Sequence, residues 1–127
     1  MNPYDAAHKL AGTLRESEVF KELKKAQKDL KADETAKKMI LDLRGKQLEL
    51  HRQKLSGIEV SKEQEERLEK LLEVVNMNMV AKNFLQAEYK ALVLLQDIQK
   101  IIGEATDEIF DEELMNIMGD KEADDQQ

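Results

Sequence analysis

Few arrangements of residues in this chain are typical of metal binding or of acid–base chemistry. The two histidines, His8 and His51, lie far apart in the sequence, and there is no cysteine. Asp5 and His8 have the i, i+3 spacing that places two ligands on one side of a helix. A carboxylate-bridged two-metal site in a bundle needs that unit twice, with two further glutamates, and His51 has Leu48 at the equivalent position. The sequence therefore predicts no metal and no cofactor.

Glu88 is the one acid in the apolar stretch FLQAEYKALVLL, residues 84 to 95, where nine of the twelve residues are apolar. A carboxylate in apolar surroundings can serve as a catalytic acid or base. The alternative, which we favour, is a hydrogen bond or ion pair at the edge of an interface. No Gly-rich phosphate loop, Ser/His/Asp set or nucleophile elbow occurs in the sequence. We therefore predict that the protein is not an enzyme.

The elements that position these residues are predicted to be helices. Charged residues make up 37% of the chain and aromatic residues 4%, with a single proline, a composition typical of long helices. Helix starts are predicted at Asn2, Ser17, Asp33, Ser61 and Asn78. The corresponding helices end after about Leu14, at Ala32, at Leu55, after about Val75 and at about Phe110. We predict an all-α, elongated antiparallel bundle with one long C-terminal helical segment, kinked near Asn78.

Apolar residues at helical spacing predict the core of this bundle. The predicted core stripes are Val19, Leu23, Ala26 and Leu30; Ala36, Ile40, Leu43, Gln47 and Leu50, with Leu41, Leu48 and Leu55 beside them; Leu68, Leu71, Leu72 and Val75; and Val80, Phe84, Ala87, Ala91, Leu94, Leu95, Ile98, Ile101, Ile102, Ala105 and Ile109. Leu85, Tyr89 and Leu92 lie on the far side of the last helix. This helix therefore has a second apolar face that something must cover.

A second copy of the chain is the covering that we favour. A helix of about 32 residues is about 48 Å long, whereas a compact domain of this size has a radius of gyration of about 14 Å. The candidate interface consists of Phe84, Leu85, Glu88, Tyr89, Leu92 and Leu95, and a homodimer is the expected state. The alternative is that the first two helices cover Leu85, Tyr89 and Leu92 within one chain.

The net charge of −7 is spread unevenly. Residues 101 to 127 contain one basic and ten acidic residues, whereas residues 18 to 60 contain eleven basic and eight acidic residues. We predict one helical domain over residues 1–110 and a frayed acidic tail over residues 111–127. A possible phosphate-binding stripe consists of Lys21, Lys24, Lys25, Lys28 and Lys31. The alternative, which we favour, is an ordinary solvent-exposed helix face on which Glu18, Glu22 and Asp29 lie among the lysines. Nucleic acid is therefore not an expected partner.

Three segments together carry a family resemblance. They are YDAAHKLAGTLRESEVFKELKKA, AKKMILDLRGKQLELHRQKLSG and NFLQAEYKALVLLQDIQKIIGEA. In this order they resemble the YlbF/YmcA-like family of small bacterial helical proteins, most closely its YheA-type branch, over roughly residues 4 to 110. The LQAEY motif at Leu85 to Tyr89 is the most recognisable piece, and it coincides with the stretch that has two apolar faces.

The resemblance implies an elongated, oligomeric helical protein without known enzymatic activity. Better-understood relatives act as regulatory partners that associate with one another and with an RNA-decay endonuclease, and thereby influence competence, sporulation and biofilm formation. Some of these relatives use cysteines in an iron–sulfur assembly, which this chain cannot do. No stretch is long and apolar enough to span a membrane, and no signal peptide is recognisable. We expect a cytoplasmic interaction protein that acts by association, with weak nucleic-acid binding as the competing function.

Overall fold

The computed structural model of the chain describes residues 1–110 together with residues 113 and 114. In this part of the chain the five regular elements are α-helices: α1 (Pro3–Glu16), α2 (Glu18–Ala32), α3 (Glu34–Leu55), α4 (Lys62–Met77) and α5 (Met79–Asp107). The all-α prediction is confirmed, as is the break between α4 and α5. The predicted acidic tail from residue 111 lies outside the described residues apart from positions 113 and 114.

Side-chain caps explain where the helices begin. The side chains of Asn2, Ser17 and Asp33 accept hydrogen bonds from backbone N–H groups three residues further on. Ser61 and Gln64 form a reciprocal capping box at the start of α4, and the Asn78 side chain accepts from the backbone N–H of Ala81. These bonds satisfy donors that have no partner inside a helix, so the sequence signals correspond to real bonds.

Gly57 ends α3 and starts the connection to α4. Its φ of +75° is in the left-handed region that glycine adopts without strain. The backbone N–H of Gly57 donates to the carbonyl of Lys54, and the N–H of Ile58 donates to the carbonyl of Gln53, which is the Schellman arrangement. Across the connection, the side chain of Gln53 exchanges hydrogen bonds with that of Gln64, so α3 and α4 run antiparallel.

The core of the compact unit Met1–Ala91 is built from α2 to α5. Its members are Ala26, Leu30, Ala36, Ile40, Leu43, Val75, Ala81, Phe84 and Ala87, with Leu23, Met39, Leu68, Leu71, Val80 and Leu85 packed against it. Leu43 and Val75 are the largest side chains that are completely enclosed. These positions follow the predicted stripes of α2 and of the first half of α3.

Three parts of the predicted core are not buried in this chain. Leu72 is exposed on α4, and Leu41, Leu48 and Leu55 are exposed along α3. The stripe of α5 is buried only as far as Ala91, since Ile101, Ile102 and Ile109 are exposed. Periodicity shows which apolar residues share a face but does not show whether that face is covered. A second compact unit begins at Leu92, and the division of the chain at residue 110 stays a prediction.

Candidate interaction surface

The LQAEY motif contributes to both the core and the surface. Phe84, which precedes the motif, is 5% exposed and lies in the core with Ala81 and Ala87. Leu85 is half-buried and packs against the same core. Of the six residues predicted for an interface, Phe84 therefore belongs to this chain's own interior, and Leu85 is largely committed to it.

Glu88 forms an ion pair with Arg44, as the interpretation of an ion pair anticipated. Nη2 of Arg44 donates a hydrogen bond to Oε2 of Glu88, so α3 and α5 are linked by residues 44 positions apart in the sequence. The guanidinium carbon of Arg44 also lies 5.3 Å from the centroid of the Phe84 ring, within range of a cation–π contact. One arginine of α3 therefore contacts both the carboxylate and the aromatic ring of α5.

Tyr89 and Leu92 form the exposed part of the second apolar face. Their side chains are 70% and 50% exposed, whereas Leu95 is half-buried. Within the compact unit Met1–Ala91, α1 and α2 leave Tyr89 largely exposed, unlike the alternative in which they cover it. Tyr89 in the compact unit Met1–Ala91 and Leu92 in the second unit each expose apolar surface, and the predicted interface stays a prediction.

The core stripe of α5 continues beyond Ala91 with the same spacing. Its members, separated alternately by three and four residues, are Phe84, Ala87, Ala91, Leu94, Ile98, Ile101 and Ala105. Phe84, Ala87 and Ala91 are buried, Leu94 and Ile98 are half-buried, and Ile101 is 67% exposed. Ile102, beside this stripe, is 54% exposed. A seam with this spacing is typical of helices that pack against another helix.

A second exposed stripe lies on α3, and our sequence interpretation had assigned it to the edge of the core. Leu41, Leu48 and Leu55 are 60%, 49% and 74% exposed. Their uniform spacing of seven residues was a signal that they form a narrow stripe of their own. The α3 stripe exposes apolar side chains similar to those of α5. Substitutions in it can therefore serve as controls for substitutions in α5.

The predicted basic stripe lies on one face of α2. The side chains of Lys21, Lys24, Lys25, Lys28 and Lys31 are all exposed. Together with Gln27 they line one open groove along the helix. Lys21 approaches Glu16, with 3.8 Å between Nζ and Oε2, and both side chains are largely exposed, a geometry worth at most about 1 kcal/mol.

The two histidines lie on different helices. Asp5 and His8 are exposed on α1, and His51 is exposed on α3. Over residues 1–110, 113 and 114, no three histidine, cysteine or acidic side chains are grouped so that they could hold a metal ion. In the same residues, every helix is too short or too polar to cross a lipid bilayer.

Comparison with known proteins identifies the family. The family model described as "Control of competence regulator ComK, YlbF/YmcA" matches residues 4–106. The chain belongs to the YlbF/YmcA family. The matched region covers α1 to α4 and nearly all of α5, so the family match includes both the LQAEY motif and the lysines of α2.

Relatives within the YlbF/YmcA family have names that give no activity. A UPF0342 protein of Alkalihalophilus pseudofirmus is 37% identical, covering 86% of this chain and 92% of the relative. A UPF0342 protein of Symbiobacterium thermophilum is 40% identical, covering 82% and 93%. A solved structure titled "Protein of Unknown Function (DUF964)", from Bacillus stearothermophilus, matches with a TM-score of 0.74 at 26% identity, covering 84% of this chain and 93% of that one. The helical fold is thus shared with a solved structure.

Proposed function

We propose that this protein is a non-enzymatic regulatory protein that acts by association, first with a second copy of itself and then with protein partners. The observation that supports this proposal is the continuation of the α5 stripe. Residues that form the core as far as Ala91 are followed, at unchanged spacing, by Ile98, Ile101 and Ile102, of which the last two are more than half exposed. The family's description as a control of a competence regulator supports a regulatory role.

A second α5 helix is the covering that suits this stripe. Apolar residues at alternating spacings of three and four are buried best by a helix with the same spacing, and an identical chain supplies one. Symmetric dimers are the commonest assemblies of identical chains, because one surface serves both partners. Tyr89 and Leu92 would extend the contact along the helix. By resemblance to better-understood relatives, the further partners would be proteins of the RNA-decay machinery.

The oligomeric state of paired variants tests self-association. We would measure mass by light scattering, over a concentration series, for the wild type, I101E/I102E on α5 and L41E/L48E on the α3 stripe. The two pairs are comparably exposed, at 67% and 54% against 60% and 49%. We expect a wild-type mass near twice 14.6 kDa, and a monomer only for the α5 variant, because burying two charges at an apolar seam is strongly unfavourable.

Circular dichroism separates dissociation from unfolding in this experiment. The α5 variant should retain the helical signal of the compact unit Met1–Ala91, since Ile101 and Ile102 lie outside that unit. A further variant, Y89E/L92E, asks whether the second apolar face takes part in the contact. A wild-type monomer at every concentration would refute the proposal, as would a dimer that only the α3 variant dissociates.

A further inference from the structure

The lysines of α2 occupy an uninterrupted arc of that helix. At 100° per residue, Lys21, Lys24, Lys25, Lys28 and Lys31 fall within about 120° of the helix circumference. Ala32 is the one other α2 residue in this arc. The groove along the arc is lined by α2 side chains: Lys21, Lys24, Lys25, Gln27, Lys28 and Lys31. We call these five lysines the lysine face.

The acids of α2 lie outside the lysine face. Glu22 and Asp29 line a separate groove between α2 and α5, which Lys25 borders at the edge of the face. There Oε2 of Glu22 approaches Nζ of Lys90 on α5, at 3.7 Å. Glu18 falls on the same side of the helix by its position in the sequence. The acids therefore border the arc but do not interrupt it, and the charged residues within the arc are all lysines.

This arrangement has an energetic cost in the absence of a ligand. Lysines three and four residues apart on a helix repel one another by a few tenths of a kcal/mol per pair. Among the salt bridges of the described residues, one reaches the lysine face, that of Lys21 with Glu16, while Lys24, Lys28 and Lys31 take part in none. A polyanion lying along the face would relieve the repulsion and release its own counterions.

The chemistry of the lysine face favours phosphate over carboxylate ligands. It contains no arginine, whose planar guanidinium binds carboxylates through two parallel hydrogen bonds. Lysine binds phosphate as a compact point charge, and lysine is depleted at the cores of protein–protein interfaces. An exposed aromatic ring for base stacking, which single-strand binding usually requires, is also absent from the arc. These features favour the phosphate backbone of a double-stranded nucleic acid, in which the bases stay paired.

We propose that the lysine face binds the phosphate backbone of a nucleic-acid duplex without reading its sequence. Lys21 and Lys31 are ten residues apart, which is about 15 Å along the helix axis. One strand of duplex DNA carries a phosphate about every 3.4 Å of duplex axis, so about four phosphates of one strand is the most that the face can span. Acids more than about 10 Å away are screened at 0.1 M salt, so the negative net charge of the chain weakens this contact but does not abolish it.

Two triple variants of equal charge test the lysine face. K24Q/K28Q/K31Q removes three charges from it, whereas K62Q/K70Q/K82Q removes three exposed lysines from α4 and α5. Affinity for a fluorescein-labelled 20-base-pair DNA duplex of arbitrary sequence would be measured by anisotropy from 25 to 200 mM salt. Glutamine is a good helix former, and circular dichroism would show that both variants stay folded.

The salt dependence gives the expected result. For about four contacted phosphates, log K should fall with log salt with a slope of about −3.6. The variant in the lysine face keeps two of the five lysines and loses two or three contacts, so the slope should flatten by about 1.8 to 2.7, at about 0.9 per lost contact. The control variant, which has the same net charge, should keep the wild-type slope. Three duplexes of different sequence should bind equally well.

Several results would overturn the proposal. The proposal is wrong if the wild-type protein does not bind the duplex at 25 mM salt. It is also wrong if both triple variants lose affinity equally, because that result would indicate an effect of the net charge alone. Tighter binding of a single-stranded 20-mer than of the duplex would exclude a duplex ligand. Tighter binding of polyglutamate, at equal charge concentration, would assign the lysine face to an acidic protein instead.

Discussion

At the scale of single residues, backbone conformation gives two glycines near α3 opposite roles. Gly57 has a φ of +75° and a Cβ added there would meet nothing within 4 Å, so only the backbone conformation opposes a side chain. Gly45 lies inside α3, where added Cβ atoms also meet nothing within 4 Å. Space for a side chain is available at both sites. The backbone conformation therefore decides whether a glycine-to-alanine substitution raises or lowers the free energy of unfolding.

We expect G57A to destabilise the protein by about 1 kcal/mol, because a left-handed conformation costs alanine about that much. We expect G45A to stabilise it by up to about 1 kcal/mol, because alanine favours a helix interior over glycine. Urea unfolding at one fixed protein concentration measures both. Equal signs for the two substitutions would contradict this account.

Another residue-scale feature is the role of Arg44. Its guanidinium binds the Glu88 carboxylate and lies over the Phe84 ring, yet the side chains of Arg44 and Glu88 are 47% and 30% exposed. Solvent screens a pair of this kind, so its contribution to stability is at most about 1 kcal/mol. The pair links α3 and α5 within the compact unit Met1–Ala91.

At the scale of elements, Asn78 separates α4 from α5. α4 ends at Met77 and α5 begins at Met79, with the Asn78 backbone in an extended conformation at φ −89° and ψ 117°. The Asn78 side chain caps α5 through the N–H of Ala81. Met77 and Met79, on either side, are 83% and 69% exposed. The residues next to the break are thus exposed, while Val75 and Ala81, three residues to either side of Asn78, are buried in the core.

We expect N78A to lower the free energy of unfolding by about 1 kcal/mol, because alanine cannot accept the bond from Ala81. N78D should stay close to the wild type, since aspartate caps as well as asparagine. Thermal and urea unfolding of the two variants would be compared. A stability gain for N78A would mean that α4 and α5 fuse into one helix, and that the break owes nothing to the cap.

At the scale of the whole molecule, burial is decided by which helix faces meet. Leu43 and Leu41 are two residues apart on α3, yet Leu43 is 1% exposed and Leu41 is 60% exposed. Leu43 belongs to the cluster that joins α2, α3, α4 and α5 within the compact unit Met1–Ala91. A leucine at position 43 is therefore expected to contribute much more to the free energy of unfolding than a leucine at position 41.

We expect L43A to destabilise the protein by about 2 to 5 kcal/mol, because it removes buried methyl groups and leaves a cavity. L41A should change stability by less than about 0.5 kcal/mol, the usual range for exposed sites. Urea unfolding should be followed at a fixed protein concentration, because self-association would make stability concentration-dependent. A large loss for L41A would show that another molecule covers the α3 stripe.

The sequence by itself determined the helices and where each one begins, whereas α5 ends at Asp107 and not at the predicted Phe110. Caps at Asn2, Ser17, Asp33, Ser61 and Asn78 involve groups three residues apart, so the bonds that start each helix are local. The Gly57 stop is local for the same reason. Family membership also followed from the order of segments along the chain, and the family match over residues 4–106 confirms it.

Only the tertiary structure decided which apolar and charged faces are covered. It placed Phe84 in the core but left Tyr89, Leu92 and Ile101 exposed, although all four are apolar residues of α5. It also paired Glu88 with a residue 44 positions away. The physical reason is that periodicity orients a side chain around its own helix, whereas burial and ion pairing depend on which other helix packs against that side.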